Sequence, residues 1–178
     1  MNPRTTLAAV AVLLTAVACG GPADDQAAPP AATSSQASTA PRGVGPVKGG
    51  PLDGVDPCTL LTKAEAERVT GPQTAEPAVE QLGSARVCNF APRQALLGVG
   101  VRTAQGLDQV QSNGNVVQEV VVGRHQAKQA VGATGSCGVF IGVTETSRVD
   151  VLLNSGSATE DPCPAAMRVA ELVEPRLP

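Results

Sequence analysis

Apolar residues alternate with polar or small residues along three segments of the chain. This period of two predicts strands that bury one face each, over residues 96–103, 137–143 and 148–153. Residues 116–122 are mostly β-branched and predict a further strand, and 86–91 and 124–131 are a short and a weaker candidate; of these six segments we expect about five to form strands. The link between the last two strands is short enough for a hairpin.

A helical period replaces the strand pattern at both ends of this region. Four apolar residues recur at intervals of three and four near the C-terminus: Ala166, Val169, Ala170 and Val173. They predict one apolar stripe on a helix over residues 162–174. Towards the N-terminus, a turn at 58–61 is followed by Thr62 and Glu65 at capping-box spacing, which predicts a second helix ending near Thr70.

The tripeptide Asp-Pro-Cys begins each of these helical regions, at residues 56–58 and 161–163. Aspartate is a favoured N-cap because its side chain accepts a hydrogen bond from a free amide of the first turn. Proline in the first helical position loses no hydrogen bond there. Each cysteine then lies in a first turn, from which a disulfide can attach the helix start to a strand.

Helices at both ends with strands between them predict an α+β fold. We expect a mainly antiparallel sheet of about five strands with N-terminal and C-terminal helices. One-sided alternation further predicts that one face of the sheet packs on the core, while the other is solvated or partly covered.

The first 18 residues have the features of a secretory signal peptide. They comprise a short basic start, an apolar run from Leu7 to Val17, and small residues before Cys19. Residues 16–20 look like a bacterial lipobox, so we expect Cys19 to carry fatty acyl chains such as palmitate. Ala16 stands where that motif usually has leucine, which leaves ordinary signal cleavage as the alternative.

Residues 19–51 are rich in Gly, Ala, Pro and Ser and predict a disordered tether, because they have too little apolar surface to bury. The remaining residues, 52–178, predict one globular domain of ordinary size. Its core is poor in aromatic residues, since the chain has two phenylalanines and neither tryptophan nor tyrosine. A core built from small aliphatic side chains benefits from covalent cross-links.

Cysteine usage indicates how those cross-links form. The chain has five cysteines, an odd number for an exported protein, and lipidation of Cys19 leaves four that allow three pairings. We favour Cys58 with Cys88 and Cys137 with Cys163, because each bond then joins a helix start to a strand. Each disulfide is expected to contribute about 2–4 kcal/mol to stability.

Four short motifs occur in a fixed order along the domain. They are Asp-Pro-Cys-Thr-Leu-Leu-Thr at 56–62, Cys-Asn-Phe at 88–90, Gly-Ser-Cys at 135–137 and Asp-Pro-Cys at 161–163. Together they resemble actinobacterial lipoproteins of the domain of unknown function 3558 family, over nearly all of residues 52–178. The resemblance implies an exported, lipid-anchored, disulfide-stapled domain, and it implies no activity and no functional residues to transfer.

Composition argues against several classes of function. The chain has 13 basic and 16 acidic residues, a net charge of −3, and no basic patch or aromatic platform for nucleic acid. One histidine and widely spaced cysteines give no zinc motif, and there is no Gly-x-Ser-x-Gly segment. The sequence therefore predicts no metal, no cofactor and no catalytic residue. His125 is the one candidate base, but no carboxylate evident in the sequence would orient it.

Four glycines lie opposite the apolar side of two predicted strands: Gly98, Gly100, Gly138 and Gly142. They either let a helix pack closely, which is the favoured interpretation, or leave a shallow trough for a ligand.

The sequence also predicts positions for three carboxylates outside the helix starts. Asp150 alternates with the apolar residues of its strand and is expected to face solvent. Glu76 and Glu80 belong to a proline-bracketed loop that is a candidate groove wall.

These features predict a lipid-anchored cell-envelope protein on the extracytoplasmic face of the cell membrane. Its expected role is non-enzymatic binding of a protein, a glycan or a lipid through a flat or grooved face. The first alternative is a carrier of a small ligand or envelope lipid, which predicts an apolar cavity of roughly 300 Å³ or more between sheet and helices. The second is a hydrolase, which predicts His125 in a cleft and hydrogen-bonded to a carboxylate.

Overall fold

The computed structural model describes residues 49–113, 116–132, 135–156 and 161–178. The predicted signal peptide, Cys19 and the predicted tether up to residue 48 lie outside the described residues. The segment Asn113-Gly114-Asn115 is typical of a turn, and its last two residues also lie outside the described residues.

Two α-helices and seven β-strands form within the described residues. The helices are α1 (Lys63–Thr70) and α2 (Cys163–Val173). The strands are β1 (Ala78–Leu82), β2 (Ala85–Phe90), β3 (Leu96–Arg102), β4 (Val116–Val122), β5 (His125–Gly132), β6 (Ser136–Thr144) and β7 (Ser147–Asn154). Single 3₁₀ turns lie at Pro57–Thr59, Leu107–Gln109 and Glu174–Arg176.

All seven strands belong to one antiparallel sheet with the order β1-β2-β3-β7-β6-β5-β4. Strands β1 to β3 form one meander, β4 to β7 form another, and the pairing of β3 with β7 joins them. The predicted antiparallel sheet is confirmed, but the count of about five strands is wrong. Strand β1 shows no one-sided alternation because it is exposed on both faces, so the hydrophobic pattern does not reveal it.

The N-terminal helical region consists of a short turn followed by a short helix. A 3₁₀ turn at Pro57–Thr59 precedes α1, which has eight residues. The predicted capping box is present: the Thr62 hydroxyl accepts from the Glu65 amide at 3.2 Å, and the Glu65 carboxylate accepts from the Thr62 amide at 2.9 Å. The helix ends at Gly71, whose φ of 85° suits glycine.

The core lies on one face of the sheet, here called the helix face. Helix α2 packs across β6 and β7, and α1 packs against α2. The predicted stripe of α2 is fully buried there, and each of its valines contributes about 1.5–3 kcal/mol through burial. Within the described residues, neither helix is long and apolar enough to cross a membrane.

Both helix starts are attached to the helix face by disulfides. Cys58 is bonded to Cys88 of β2, and Cys137 of β6 is bonded to Cys163 of α2, which is the pairing favoured from the sequence. The two Asp-Pro-Cys motifs have the same local geometry, because in each an aspartate Oδ1 accepts from the cysteine amide at 2.9 Å. A short polar motif thus places each cysteine against the sheet.

Candidate functional site

The face of the sheet opposite the helices, here called the open face, carries no α-helix among the described residues. On β3, Gly98 and Gly100 point towards it, between the core residues Leu97, Val99 and Val101. The expectation that a helix packs closely on the glycines is therefore wrong. Both helices lie on the other face, and the glycines leave a trough.

A row of short side chains forms the floor of this trough. The strand register aligns Gly98 of β3 with Asn89 of β2 and with Leu152 of β7. It also aligns Gly138 of β6 with Leu152 and with Ala130 of β5. Because three of these five aligned residues are glycine or alanine, the floor is low on both sides of Leu152, whose side chain rises between Gly98 and Gly138.

The trough has a volume of about 640 Å³. Its lining residues come from six strands that are consecutive in the sheet: β1, β2, β3, β7, β6 and β5. Leu82, Leu96 and Leu152 line it and are 52%, 69% and 42% exposed. They are three of the seven large apolar residues that are exposed in the described part of the chain. Apolar surface gathered into one concavity is typical of an interaction site.

The two floor glycines make room for neighbouring side chains. A Cβ on Gly138 would lie 2.7 Å from Cζ of Phe140, and a Cβ on Gly98 would lie 3.2 Å from Cγ1 of Val87. Phe140 therefore folds over Gly138, and its ring borders the trough. Glycine in the floor thus sets both the depth of the trough and the position of its aromatic wall.

Three charged residues, of which Arg148 and Asp150 are buried and Arg102 is partly exposed, form a group on the open face, here called the arginine–aspartate cluster. Asp150 is 2% exposed. Its Oδ1 accepts from Nε of Arg148 at 2.6 Å, and its Oδ2 accepts from Nε of Arg102 at 2.5 Å. The prediction that Asp150 faces solvent is wrong. The residue does point away from the helix face, but two arginines and a loop cover it.

That loop comprises residues 103–113 and closes one end of the open face. Nη1 of Arg148 donates to the carbonyl oxygen of Gly106 at 2.7 Å. A Cβ on Gly106 would lie 1.8 Å from the carbonyl oxygen of Glu145, so the loop backbone lies directly against the β6–β7 hairpin. Leu107 packs on Gly142, another of the predicted face glycines. The trough lies at the end of the sheet face that this loop leaves open.

Phe140 separates the trough from the arginine–aspartate cluster. The guanidinium of Arg148 lies over the Phe140 ring, 5.5 Å from its centroid, which is a cation–π distance. One surface of the ring thus contacts a buried charge, while the residue also lines the apolar trough.

The two predicted groove carboxylates have different positions. Glu80 lies in β1 and lines the trough, where its carboxylate accepts from Nδ2 of Asn89 at 2.8 Å. Glu76 precedes β1 and forms an ion pair with Lys63 at the start of α1. Only Glu80 is therefore part of the candidate site.

His125 belongs to a separate polar cluster that holds the C-terminal segment. Its Nδ1 lies 2.9 Å from Oε1 of Glu174, and its Nε2 lies 3.3 Å from the carbonyl oxygen of Pro178. The Glu174 carboxylate also accepts from the amide of Arg124 at 3.1 Å. This amide, and then the imidazole, lower the pKa of Glu174. The expectation that no carboxylate orients His125 is wrong, but His125 does not line the trough.

The carboxylate of Glu65 has a structural role at the start of α1. Its pKa is lowered to about 2, chiefly by the guanidinium of Arg176 and then by the amide of Thr62. The Arg176 Nη2 lies 2.7 Å from Oε1 of Glu65, so this ion pair ties α1 to the segment that follows α2. Across the described residues, no group of three or more His, Cys, Asp or Glu side chains is placed to hold a metal ion.

Sequence reasoning missed the leucines of the trough, although a signal for two of its apolar walls is present. Leu152 lies between Val151 and Leu153, so an apolar residue takes an outward position in an alternating strand. Phe140 does the same between Val139 and Ile141. An apolar side chain at such a position indicates a second apolar face.

The fold and the site together define a disulfide-stapled α+β domain with an apolar trough on the open face of its sheet. The family described as "Protein of unknown function (DUF3558)" matches residues 14–176, and the chain belongs to this family. No curated protein and no solved structure matches the chain.

Proposed function

We propose that this chain is a non-enzymatic binding protein of the cell envelope, held at the extracytoplasmic face of the membrane by lipid on Cys19. Its binding site is the trough of the open face, and its ligand is apolar. The trough itself, about 640 Å³ with three exposed leucines in its wall, is the observation that carries the proposal. It combines the binding role expected from the sequence with the small-ligand alternative.

The size and lining of the trough support a ligand rather than a bare surface. Ligand sites usually occupy about 300–1,000 Å³ and are predominantly apolar with a few polar groups. Here the polar side chains that line the trough are few, Glu80, Asn89, Ser136 and Asn154. The trough lies on the glycine-lined sheet face that the carrier hypothesis named as its pocket, but the helices pack on the other face and do not close a cavity over it.

The surroundings of His125 support a non-enzymatic role. Both ring nitrogens face oxygens of the C-terminal segment, and the nearer one is Oε1 of Glu174 at 2.9 Å, so the imidazole fastens that segment to β5. A general base must lie within hydrogen-bond reach of the proton that it abstracts. The hydrolase alternative predicts His125 in a cleft and bonded to a carboxylate; the contact with Glu174 is present, but His125 does not line the trough.

The N-terminal sequence supports the anchored location. A signal-like segment ends at a lipobox-like Cys19, and removing that cysteine from the count leaves an even number for pairing. Two disulfides suit an oxidising compartment outside the cytoplasm.

Metabolic labelling tests the anchor. Cells that express the full chain are given an alkyne analogue of palmitate, and the wild type is compared with Cys19→Ala. We expect label and membrane association in the wild type and the loss of both in the variant. Equal labelling of the two proteins would refute the anchor.

Site-specific photocrosslinking tests the trough. A photoreactive phenylalanine analogue replaces Leu152 in the trough or, as a control, Val121 on β4, which is 59% exposed on the same face but outside the trough. After irradiation in the native envelope, we expect adducts from position 152 in clear excess over position 121. Equal adduct yields from the two positions would refute a binding site in the trough.

A further inference from the structure

We propose that two copies of this chain pair through the outer edge of β4, antiparallel, with Gln118 of one copy opposite Gln118 of the other. No residue of β4 lines the trough, so this interaction surface is separate from the proposed binding site. Three observations carry the inference: β4 is an unprotected edge strand, exposed apolar side chains gather around it, and its sequence complements itself in one antiparallel register.

The sheet ends at β1 on one side and at β4 on the other, and no described strand pairs with the outer edge of either. Free backbone groups along such an edge can pair with a further strand, and proteins commonly block edges by shortness, proline, lysine or a bulge. Strand β1 has five residues and directly follows Pro77. Strand β4 has seven residues, of which five are valine, with no proline, lysine or bulge. It is therefore the edge that is more open to pairing.

Exposed apolar side chains gather at this edge. Val116, Val121 and Val131 are 70%, 59% and 39% exposed, and they are three of the seven large apolar residues that are exposed in the described part of the chain. Val116 and Val131 are cross-strand neighbours on the helix face, beyond the part that the helices cover. Because the trough accounts for three of the other four, this edge is the second apolar group on the described surface.

The hairpin between β4 and β5 determines which backbone groups face the free edge. Its two-residue turn closes on the pair Val122–His125. Such a closing pair is hydrogen-bonded, and hydrogen-bonded pairs alternate with the other kind. The backbone groups that point outwards are therefore those of residues 117, 119 and 121. In an added antiparallel strand, Gln118 then lies in a non-hydrogen-bonded pair, whose Cα atoms are about 4.5 Å apart.

Charge selects the register of the pairing. A two-fold axis perpendicular to the sheet places one residue of β4 opposite itself, and the centres that pair the most residues are Gln118 and Glu119. Pairing centred on Glu119 would set two carboxylates directly opposite each other, which is destabilising in an antiparallel pair. Pairing centred on Gln118 avoids this contact, so we expect that register.

The same register also matches side chains on both faces of the sheet. On the helix face, Val116 lies opposite Val120 of the second copy, which covers the more exposed valine with another valine. On the open face, Glu119 lies opposite Val117 of the second copy and keeps Lys128 as its neighbour on β5. No like charges meet directly in this arrangement, so β4 suits a second copy of itself.

Cysteine cross-linking of the full chain, in the membranes of cells that produce it, tests this pairing. Gln118→Cys places a thiol at the two-fold position, where the Cα separation falls within the roughly 4.4–6.8 Å that a disulfide spans. Glu119→Cys reports on the other register. Gln81→Cys is the matched control, because it replaces an exposed glutamine on the other edge strand. The wild type gives the background from the native cysteines, Cys19 included.

A second pair of variants tests the same register without changing Gln118. Val116→Cys and Val120→Cys are produced together, each with a different affinity tag. In the proposed register these two positions lie opposite each other, whereas each is four residues away from its own counterpart in the second copy. This pair decides the question if Gln118→Cys does not accumulate as folded protein.

We expect at least tenfold more disulfide-linked dimer from Gln118→Cys than from Gln81→Cys, Glu119→Cys or the wild type. We expect a similar excess when the 116 and 120 variants are produced together rather than singly. More dimer from Glu119→Cys than from Gln118→Cys would overturn the register. Equal yields from Gln118→Cys and Gln81→Cys, with no excess from the co-produced pair, would overturn the pairing.

Two further outcomes separate this proposal from its neighbours. Cross-links from Gln118→Cys to other proteins, without a dimer of the chain, would overturn the second copy as the partner. In the photocrosslinking test of the trough, position 121 lies on β4, so a dimer-sized adduct from it reports this pairing and not a trough ligand. Failure of the β4 pairing therefore leaves the trough proposal standing.

Discussion

The arginine–aspartate cluster makes a sharp prediction about stability, because its one carboxylate serves two arginines. Asp150→Asn keeps the shape of the side chain and removes its charge. Asp150 is 2% exposed and Arg148 is 5% exposed, so the substitution leaves a buried guanidinium without its counter-charge. An amide also has one oxygen instead of two, whereas both oxygens of Asp150 accept from arginine.

The expected loss of stability follows from the arginine charge that the substitution leaves buried and unpaired. Removing one partner of a buried ion pair costs about 3–5 kcal/mol, chiefly because the remaining charge stays buried and unpaired. We expect a loss near the lower end, about 3 kcal/mol, because the side chain of Arg102 is 23% exposed and can reach water. A second substitution, Arg148→Met, should recover part of this loss in the Asp150→Asn background, since it removes the stranded charge.

Urea unfolding followed by far-ultraviolet circular dichroism measures these differences, since the chain has no tryptophan for fluorescence. Glu76→Gln is the matched control: it also breaks an ion pair, but the Glu76 side chain is 81% exposed. We expect the control to change stability by less than about 0.5 kcal/mol. A loss below about 1 kcal/mol for Asp150→Asn, or no recovery in the double variant, would refute the reasoning.

Three further predictions concern the elements that hold the domain together. Replacing Cys137 and Cys163 by alanine should cost about 2–4 kcal/mol in the same urea assay, and an unchanged midpoint would contradict a role in stability. Glu65→Gln should cost about 1 kcal/mol at neutral pH after solvent screening. Because the folded pKa of Glu65 is lowered to about 2, its contribution is complete above about pH 4.5 and is lost as the pH falls towards 2. A wild-type-to-variant difference that grows on acidification would contradict this sign. Gly123→Ala should be more destabilising than Gly83→Ala. The two glycines have similar φ values, 55° and 59°, but only a Cβ at 123 would meet the Glu174 carboxylate, at 2.3 Å. Equal thermal midpoints for the two alanine variants would contradict that contact.

Local chemistry predicted the helix starts well because their determinants lie within a few residues. The Asp-Pro-Cys motif needs only an aspartate oxygen and an amide two residues later, and both copies form this contact. The stripe of α2 likewise depends on period alone, and Val169 and Val173 are fully buried as it requires. The antiparallel sheet was predicted for the same reason, from alternation within single strands.

Features that depend on contacts between distant residues were not predictable in this way. Strand β1 is stabilised by pairing with β2 and not by a buried face of its own, so its sequence does not show alternation. Asp150 has the position that alternation predicts, but its burial depends on Arg102, 48 residues away, and on the loop at 103–113. The four glycines on one sheet face could be predicted from the sequence. Which face the helices cover could not, because it depends on where the disulfides and the apolar stripe of α2 attach to the sheet.

We propose above all that the trough of the open face is the binding site. Two-dimensional amide NMR of the full chain, titrated with dodecyl maltoside below its critical micelle concentration, tests it most directly. We expect saturable shifts at Gly98, Ala130 and Gly138, with the signals of Val169 and Val173 in α2 unchanged. Shifts confined to α2, or no saturable shift at the three floor residues, would contradict it.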